Sequence, residues 1–114
     1  MGMTYIIGRN KAIPNEWLEV SLNSSASMEI EGLLEYALLD KYEEIYNVIT
    51  EEVIFITIDK LTKEQFNFFV YLINNIISNP NLPKKFNLST ELWNTYIQPL
   101  ILQDERLISD ITAN

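Results

Sequence analysis

Carboxylates are the one kind of reactive side chain this sequence holds in quantity: sixteen Asp and Glu against eight Lys and Arg, with no histidine and no cysteine. Two acids at a suitable separation are enough for glycoside hydrolysis, one protonated and one ionised. With sixteen present, some such pair is guaranteed by number alone and says nothing about catalysis. A calcium cage would need Asp-x-Asp-x-Asp-Gly spacing, which does not occur. "GRNK" at Gly8 lacks the second glycine and the Lys-Ser/Thr pair of a phosphate loop. Lys84 and Lys85 form a solitary basic doublet, short of the stripe that tracks a nucleic-acid backbone.

The absences narrow the chemistry further. A chain without histidine has lost the commonest general base, the commonest transition-metal ligand and every Ser-His or Cys-His dyad. One without cysteine has no disulfide, no thiolate nucleophile and no thiolate metal site. No catalytic residue, metal or cofactor is therefore expected, and the chain reads as a binding protein rather than an enzyme. The sequons at Asn23 and Asn87 carry little weight, because no basic–apolar–small secretory pattern opens the chain. Met1 and Gly2 read as a remnant before a natural start at Met3, and Ile6 breaks the myristoylation pattern. No apolar run reaches the ~18–20 residues that cross a bilayer. The expected setting is the cytoplasm.

What remains informative is where the acids fall. Between Ala12 and Asp59 eleven of them (Glu16, Glu19, Glu29, Glu31, Glu35, Asp40, Glu43, Glu44, Glu51, Glu52, Asp59) face one base, Lys41, a net charge of −10. The rest of the chain, with seven bases and five acids, carries +2, and the total is −8. Such a balance repels nucleic acid and anionic membrane and attracts basic proteins. Glu31 and Glu35 stand four apart on one helix flank, where like charges cost about 0.2–0.5 kcal/mol. Glu51 and Glu52 follow an expected helix C-terminus, where the macrodipole disfavours anions. Local rules broken repeatedly in one direction mark surfaces kept for a partner; the plain alternative is an acidic face that only meets water. The candidate partner-binding residues are Glu31, Glu35, Tyr42, Glu43, Glu44, Tyr46, Glu51 and Glu52, the carboxylates imitating phosphates and the tyrosines, with Trp17, serving as anchors.

These side chains need elements to hold them. "TYII" at Thr4–Ile7 reads as a short strand ending at Gly8. "EWLEVSL" alternates, with Leu18, Val20 and Leu22 on one side, the period of a half-buried strand. After the N-cap chemistry of "NSSAS", Ile30, Leu33, Leu34, Ala37 and Leu38 recur at helical spacing between Ser27 and Leu39. Gly32 weakens that helix by up to about 1 kcal/mol relative to Ala. Asp40 and Glu43 can form a capping box for a second helix burying Tyr42, Ile45, Tyr46 and Ile49. A single bent helix over 27–49, or pairing of 45–49 as a strand with 53–58, fits the same residues. Val53–Ile58 is β-branched or aromatic throughout and reads as the central strand, covered on both faces.

Thr62 and Gln65 form a capping box, and Leu61 with Phe66 a hydrophobic staple, so a helix starts near Lys63 and stops before Pro80. Phe66, Phe69, Val70, Ile73, Ile76 and Ile77 make its apolar arc. The opposite face holds Asn67, Tyr71, Asn74, Asn75 and Ser78 without any charge, either a solvated flank or an interface. Ser89 reads as the cap of a further helix burying Leu92, Trp93, Tyr96 and Ile97, which Pro99 kinks or ends. Residues 100–111 suit a helix with Pro99 in its first turn, or a hairpin turning at Asp104-Glu105. The whole, 1–114, is expected to be one α+β domain, a sheet of about three strands packed by four or five helices.

In size, acidity, missing His and Cys, and mixed helix–strand pattern the chain resembles small bacterial immunity proteins, which neutralise a cognate toxin. The resemblance is one of overall character and transfers no residue roles. It implies an inhibitor whose partner is a basic toxin domain, such as a nuclease with a cationic cleft. The alternative is a small acidic adaptor of the secretion-chaperone kind, a homodimer that grips an extended client.

Overall fold

In the computed structural model, which describes residues 2–108, the longest strand is the first. β1 (Met3–Arg9) pairs antiparallel with β2 (Trp17–Leu22) and parallel with β3 (Phe55–Thr57), so the sheet order is β2-β1-β3. The alternation in β2 holds: Leu18 and Leu22 are buried, and Trp17, Glu19 and Ser21 face water. The register of β1 on β2 slips between Ile6 and Gly8, a β-bulge that leaves Ile7 and Gly8 both buried.

The central place of Val53–Ile58 is corrected. Only Phe55–Thr57 is strand, and it lies at the sheet's edge. Val53 is 88% exposed and Ile54 55%, while Ile58 already opens a 3-10 turn over Ile58–Lys60. β-propensity describes fitness for a pleated, half-covered surface and cannot say which strand is covered. β1 is central because it alone offers both edges to partners. The Oγ of Thr57 donates to the carbonyls of Val48 and Ile49, tying β3 to the helix before it.

Helix α1 (Ser24–Leu38) begins three residues earlier than its apolar period suggests. Asn23 supplies the cap, its Oδ1 accepting from the amide of Ala26 at 2.9 Å. Ile30, Leu33, Leu34, Ala37 and Leu38 form its buried stripe as expected. Helix α2 (Glu43–Ile49) is separate, which decides between the open alternatives, but Asp40 does not cap it. Tyr42 occupies the N-cap with no side-chain bond, its ring edge-on to Phe68 at 5.1 Å. Packing of that ring, rather than a capping box, sets the corner between α1 and α2. Ile45 and Ile49 are buried, whereas Tyr42 and Tyr46 are half-buried.

Helix α3 (Lys63–Ile77) carries the complete capping box, with the Thr62 hydroxyl accepting from the Gln65 amide and the Gln65 side chain accepting from the Thr62 amide. Leu61 and Phe66 of the staple are buried. The last helical stretch starts two residues before Ser89, as α4 (Asn87–Leu92). It passes through a π-helical turn over Trp93–Ile97 and ends as α5 (Gln98–Ile101). Pro99 has no amide to give the preceding turn, and the wider turn absorbs the missing bond without breaking the helix. Trp93 and Ile97 are fully buried; Tyr96 is exposed, because the wider turn rotates it off the buried stripe.

The expected helix with Pro99 in its first turn is present only as far as Ile101, and from Leu102 to Ile108 the chain forms neither helix nor hairpin. It turns back, and Asp104 pairs with Asn10 by an isolated bridge. Arg106 then reaches inward. Its guanidinium grips the fully buried Asp104 with two bonds, 2.9 and 2.7 Å. It also donates to the carbonyls of Ile7, Ile58 and Leu61 and lies 4.0 Å over the Phe66 ring. One side chain thereby fastens β1, the 3-10 turn and the start of α3. The part of the expected 100–111 helix beyond Ile108 lies outside the described residues. The core is one cluster spanning all three strands and α1, α2, α3, α4 and α5, an α+β domain.

Candidate protein-binding surface

The acids of the first half differ in what holds them. Glu16 accepts from the Asn10 amide at 2.7 Å, and Glu29 from the Ser89 hydroxyl at 3.3 Å. Glu31 accepts from the Ser27 hydroxyl at 2.7 Å, and Ser27 in turn meets the buried Tyr5 hydroxyl at 3.1 Å. Burial raises the Tyr5 hydroxyl well above the ordinary phenol range; the Ser27 bond opposes this, and the Glu31 charge adds to it. Glu51 and Glu52 lie within 3.8 and 3.2 Å of the Lys60 ammonium. Their supposed conflict with the C-terminus of α2 is thus offset by a base from the other half of the chain.

Glu19, Glu35, Asp40, Glu43 and Glu44 are exposed and make no side-chain hydrogen bond or ion pair with another described residue. Four of these five fall between residues 35 and 44, at the corner where α1 passes into α2. Glu43 and Glu44 occupy the first turn of α2, where the macrodipole favours anions. Tyr46 belongs to the same corner. Its hydroxyl is raised from the phenol value by partial burial first, then by the charges of Glu35 and Glu31, so it stays a proton donor beside two carboxylates.

The corner also has a concave side. Glu35, Tyr36, Leu39, Asp40 and Tyr42 meet Leu72 and Ile76 of α3 around a hollow of about 470 Å³. A second hollow, about 390 Å³, opens further along α1 between Met28, Glu29, Gly32, Glu35, Lys85, Phe86 and Ser89. The ring of Tyr36, 4.7 Å from that of Phe86, stands between them. Met28 is 71% exposed, Tyr36 53% and Leu39 41%. The spacing of Met28, Gly32, Tyr36 and Leu39 is itself a helical stripe, on the side of α1 away from the core, and was legible in the sequence.

Trp17 is exposed but already has a cation, the Arg9 guanidinium lying 4.7 Å over its ring. The uncharged strip on α3 is interrupted at its first member. Asn67 is buried, donating to the carbonyls of Lys63 and Arg106 and accepting from the Ile108 amide. A polar side chain that satisfies the backbone of a returning segment cannot be told from a solvated one by periodicity.

Among the described residues no three His, Cys, Asp or Glu are placed to hold a metal ion. None of their helices is long and apolar enough to cross a membrane. The chain matches no family model, no curated protein and no solved structure.

Proposed function

We propose that this chain is a protein-binding inhibitor of the immunity type, neutralising a basic toxin domain by docking its α1–α2 corner on the toxin's cationic surface. The observation that carries this reading is the concentration of unpartnered carboxylates at Glu35, Asp40, Glu43 and Glu44, with Glu31 and Tyr46 beside them. Carboxylates with no internal partner have no cation to release before binding, and grouped charge of one sign accelerates encounter with an opposite surface. Tyr42 and Tyr46, each half-buried, offer rigid aromatic area at little entropic cost. Glu51 and Glu52 contribute less, since Lys60 meets both.

The test is association with any basic protein encoded beside this chain in its genome, followed by stopped-flow across salt concentration. The association rate is expected to fall steeply with added salt and to drop about tenfold or more in a Glu35→Gln, Glu43→Gln, Glu44→Gln triple variant of unchanged melting temperature. A rate indifferent to both salt and the triple substitution refutes the proposal.

A further inference from the structure

Gly32 is a glycine its own fold does not require. It sits in the middle of α1, and a methyl group added there would meet nothing within 4 Å. Helix-interior glycine weakens a helix relative to alanine, and no internal contact explains it. The missing side chain instead deepens the hollow between Met28, Glu29, Glu35 and Phe86. Two carboxylates flank that notch, Glu29 on one side of the exposed stripe and Glu35 on the other. Met28 and Phe86 supply its apolar surface, and Lys85 and Ser89 complete the lining. One turn or more along, the larger hollow beside α3 has a more apolar lining that includes Ala37, Leu39, Leu72 and Ile76. Gly32 and Leu39 are about 10 Å apart along the helix at ~1.5 Å per residue.

We infer that the exposed stripe of α1 is a two-site groove for a basic segment of the partner. An arginine enters over Gly32 and an apolar side chain enters beside Leu39. The inference rests on the reading of this chain as a binder of a basic protein. A guanidinium suits the first site because its stem can lie on Met28 and Phe86 while its planar donors reach Glu29 and Glu35 from one position. A polyproline-II segment, with three residues per turn and a rise of about 3.1 Å, places side chains three residues apart on one face about 9 Å from each other, close to the separation of the two sites. Lys85 is the opposing charge at the rim. Its ammonium lies 5.2 Å over the Phe86 ring and pairs with no carboxylate among the described residues. An incoming arginine takes its place on the ring and displaces it into water.

The probe is a capped peptide with the core Arg-Pro-Pro-Leu, which favours the three-residue turn that puts Arg and Leu on one face, titrated into the isotopically labelled full chain, beside the same peptide with citrulline for arginine. Amide shifts are expected to map to Met28–Leu39 and Lys85–Ser89, with citrulline weakening binding about five- to tenfold. Gly32→Val, which fills the notch, is expected to abolish the shifts while helical content is unchanged. Lys85→Ala is expected to tighten binding by removing a competing cation. Shifts spread over Glu43, Glu44, Glu64 and Glu91 in proportion to exposure would overturn the inference as mere charge attraction. So would weaker binding by Lys85→Ala, or self-association that Gly32→Val abolishes; the latter identifies a second copy of the chain as the occupant. If the neighbouring basic protein binds with strong salt dependence but Gly32→Val leaves that binding intact, the groove fails and the inhibitor reading stands. If no such binding exists, the inhibitor reading itself fails.

Discussion

Gly8 lies in the β1 bulge directly under the Asp104–Arg106 pair, and a methyl group at this position would collide with Oδ2 of Asp104 and Nη2 of Arg106. The pair cannot retreat, because Arg106 is held at the same time by three backbone carbonyls and a ring. Gly8→Ala is therefore expected to cost about 1–3 kcal/mol, the range for overfilling a packed site, measured by denaturant unfolding. Arg106→Lys should cost more, about 3–5 kcal/mol, since a single ammonium cannot make the forked contact and leaves Asp104 buried without its partner. A far smaller loss would show that Asp104 can reach water when the fork is removed.

Asp59 supplies a pH signature at the same scale. Its Oδ1 is buried without a hydrogen-bond partner among the described residues. Burial raises its carboxyl above the ordinary 3.8, against the opposing pull of its own backbone amide, Arg106 and Lys60. Below 3.8 the folded and unfolded chains both hold the proton; above it the unfolded chain ionises first, so this carboxyl lowers stability as pH rises through the raised native value. Asp59→Asn should accordingly melt higher than the parent at neutral pH, with the gap narrowing toward pH ~3.5, below the unfolded carboxyl's range. A gap independent of pH would refute the assignment.

At the level of elements, the sequence spoke most clearly where several local rules coincide. The Thr62–Gln65 box, the Leu61–Phe66 staple and a 3.6 period all place the start of α3, and all are present. Thr62→Ala should cost about 1 kcal/mol, within the range for a lost N-cap, and leave the core packing unchanged; near-zero loss in thermal unfolding would mean the box is made but contributes nothing. β2 was equally readable from its alternation. Val53–Ile58 misled because residue type reports what a segment tolerates, while coverage depends on which strands come to lie on either side. The bonds of Asn67 and Arg106 to distant backbone were illegible for a related reason. They exist only once segments 39 and 99 positions apart are brought together, and no local window contains both partners. The α1–α2 corner was half legible. Its acids could be counted, but which of them lacked a partner depended on Lys60, Ser27, Asn10 and Ser89, all placed by the fold.

For the molecule as a whole, a net charge of −8, with two exposed carboxylates bridged by a lysine among the described residues, implies appreciable self-repulsion. Exposed pairs of this kind contribute little, so screening should help more than it harms. The melting temperature is expected to rise between ~0.01 and ~0.15 M sodium chloride as the Debye length shrinks from about 30 to 8 Å. A fall over that range would mean that the ion pairs outweigh the repulsion. The same addition of salt that steadies the free protein should slow its capture of a basic partner, and the two responses together separate charge kept for binding from charge kept for solubility.

The Arg106 clasp has a consequence for how the molecule comes into being. Ile7 precedes on the ribosome the guanidinium that satisfies its carbonyl, which is made 99 residues later. Until then the middle strand has one unanswered oxygen and the loop after β3 has two more. Closure thus waits until Arg106 has been made, and a nascent copy halted short of it leaves those three carbonyls unanswered, a half-shut box open to proteolysis.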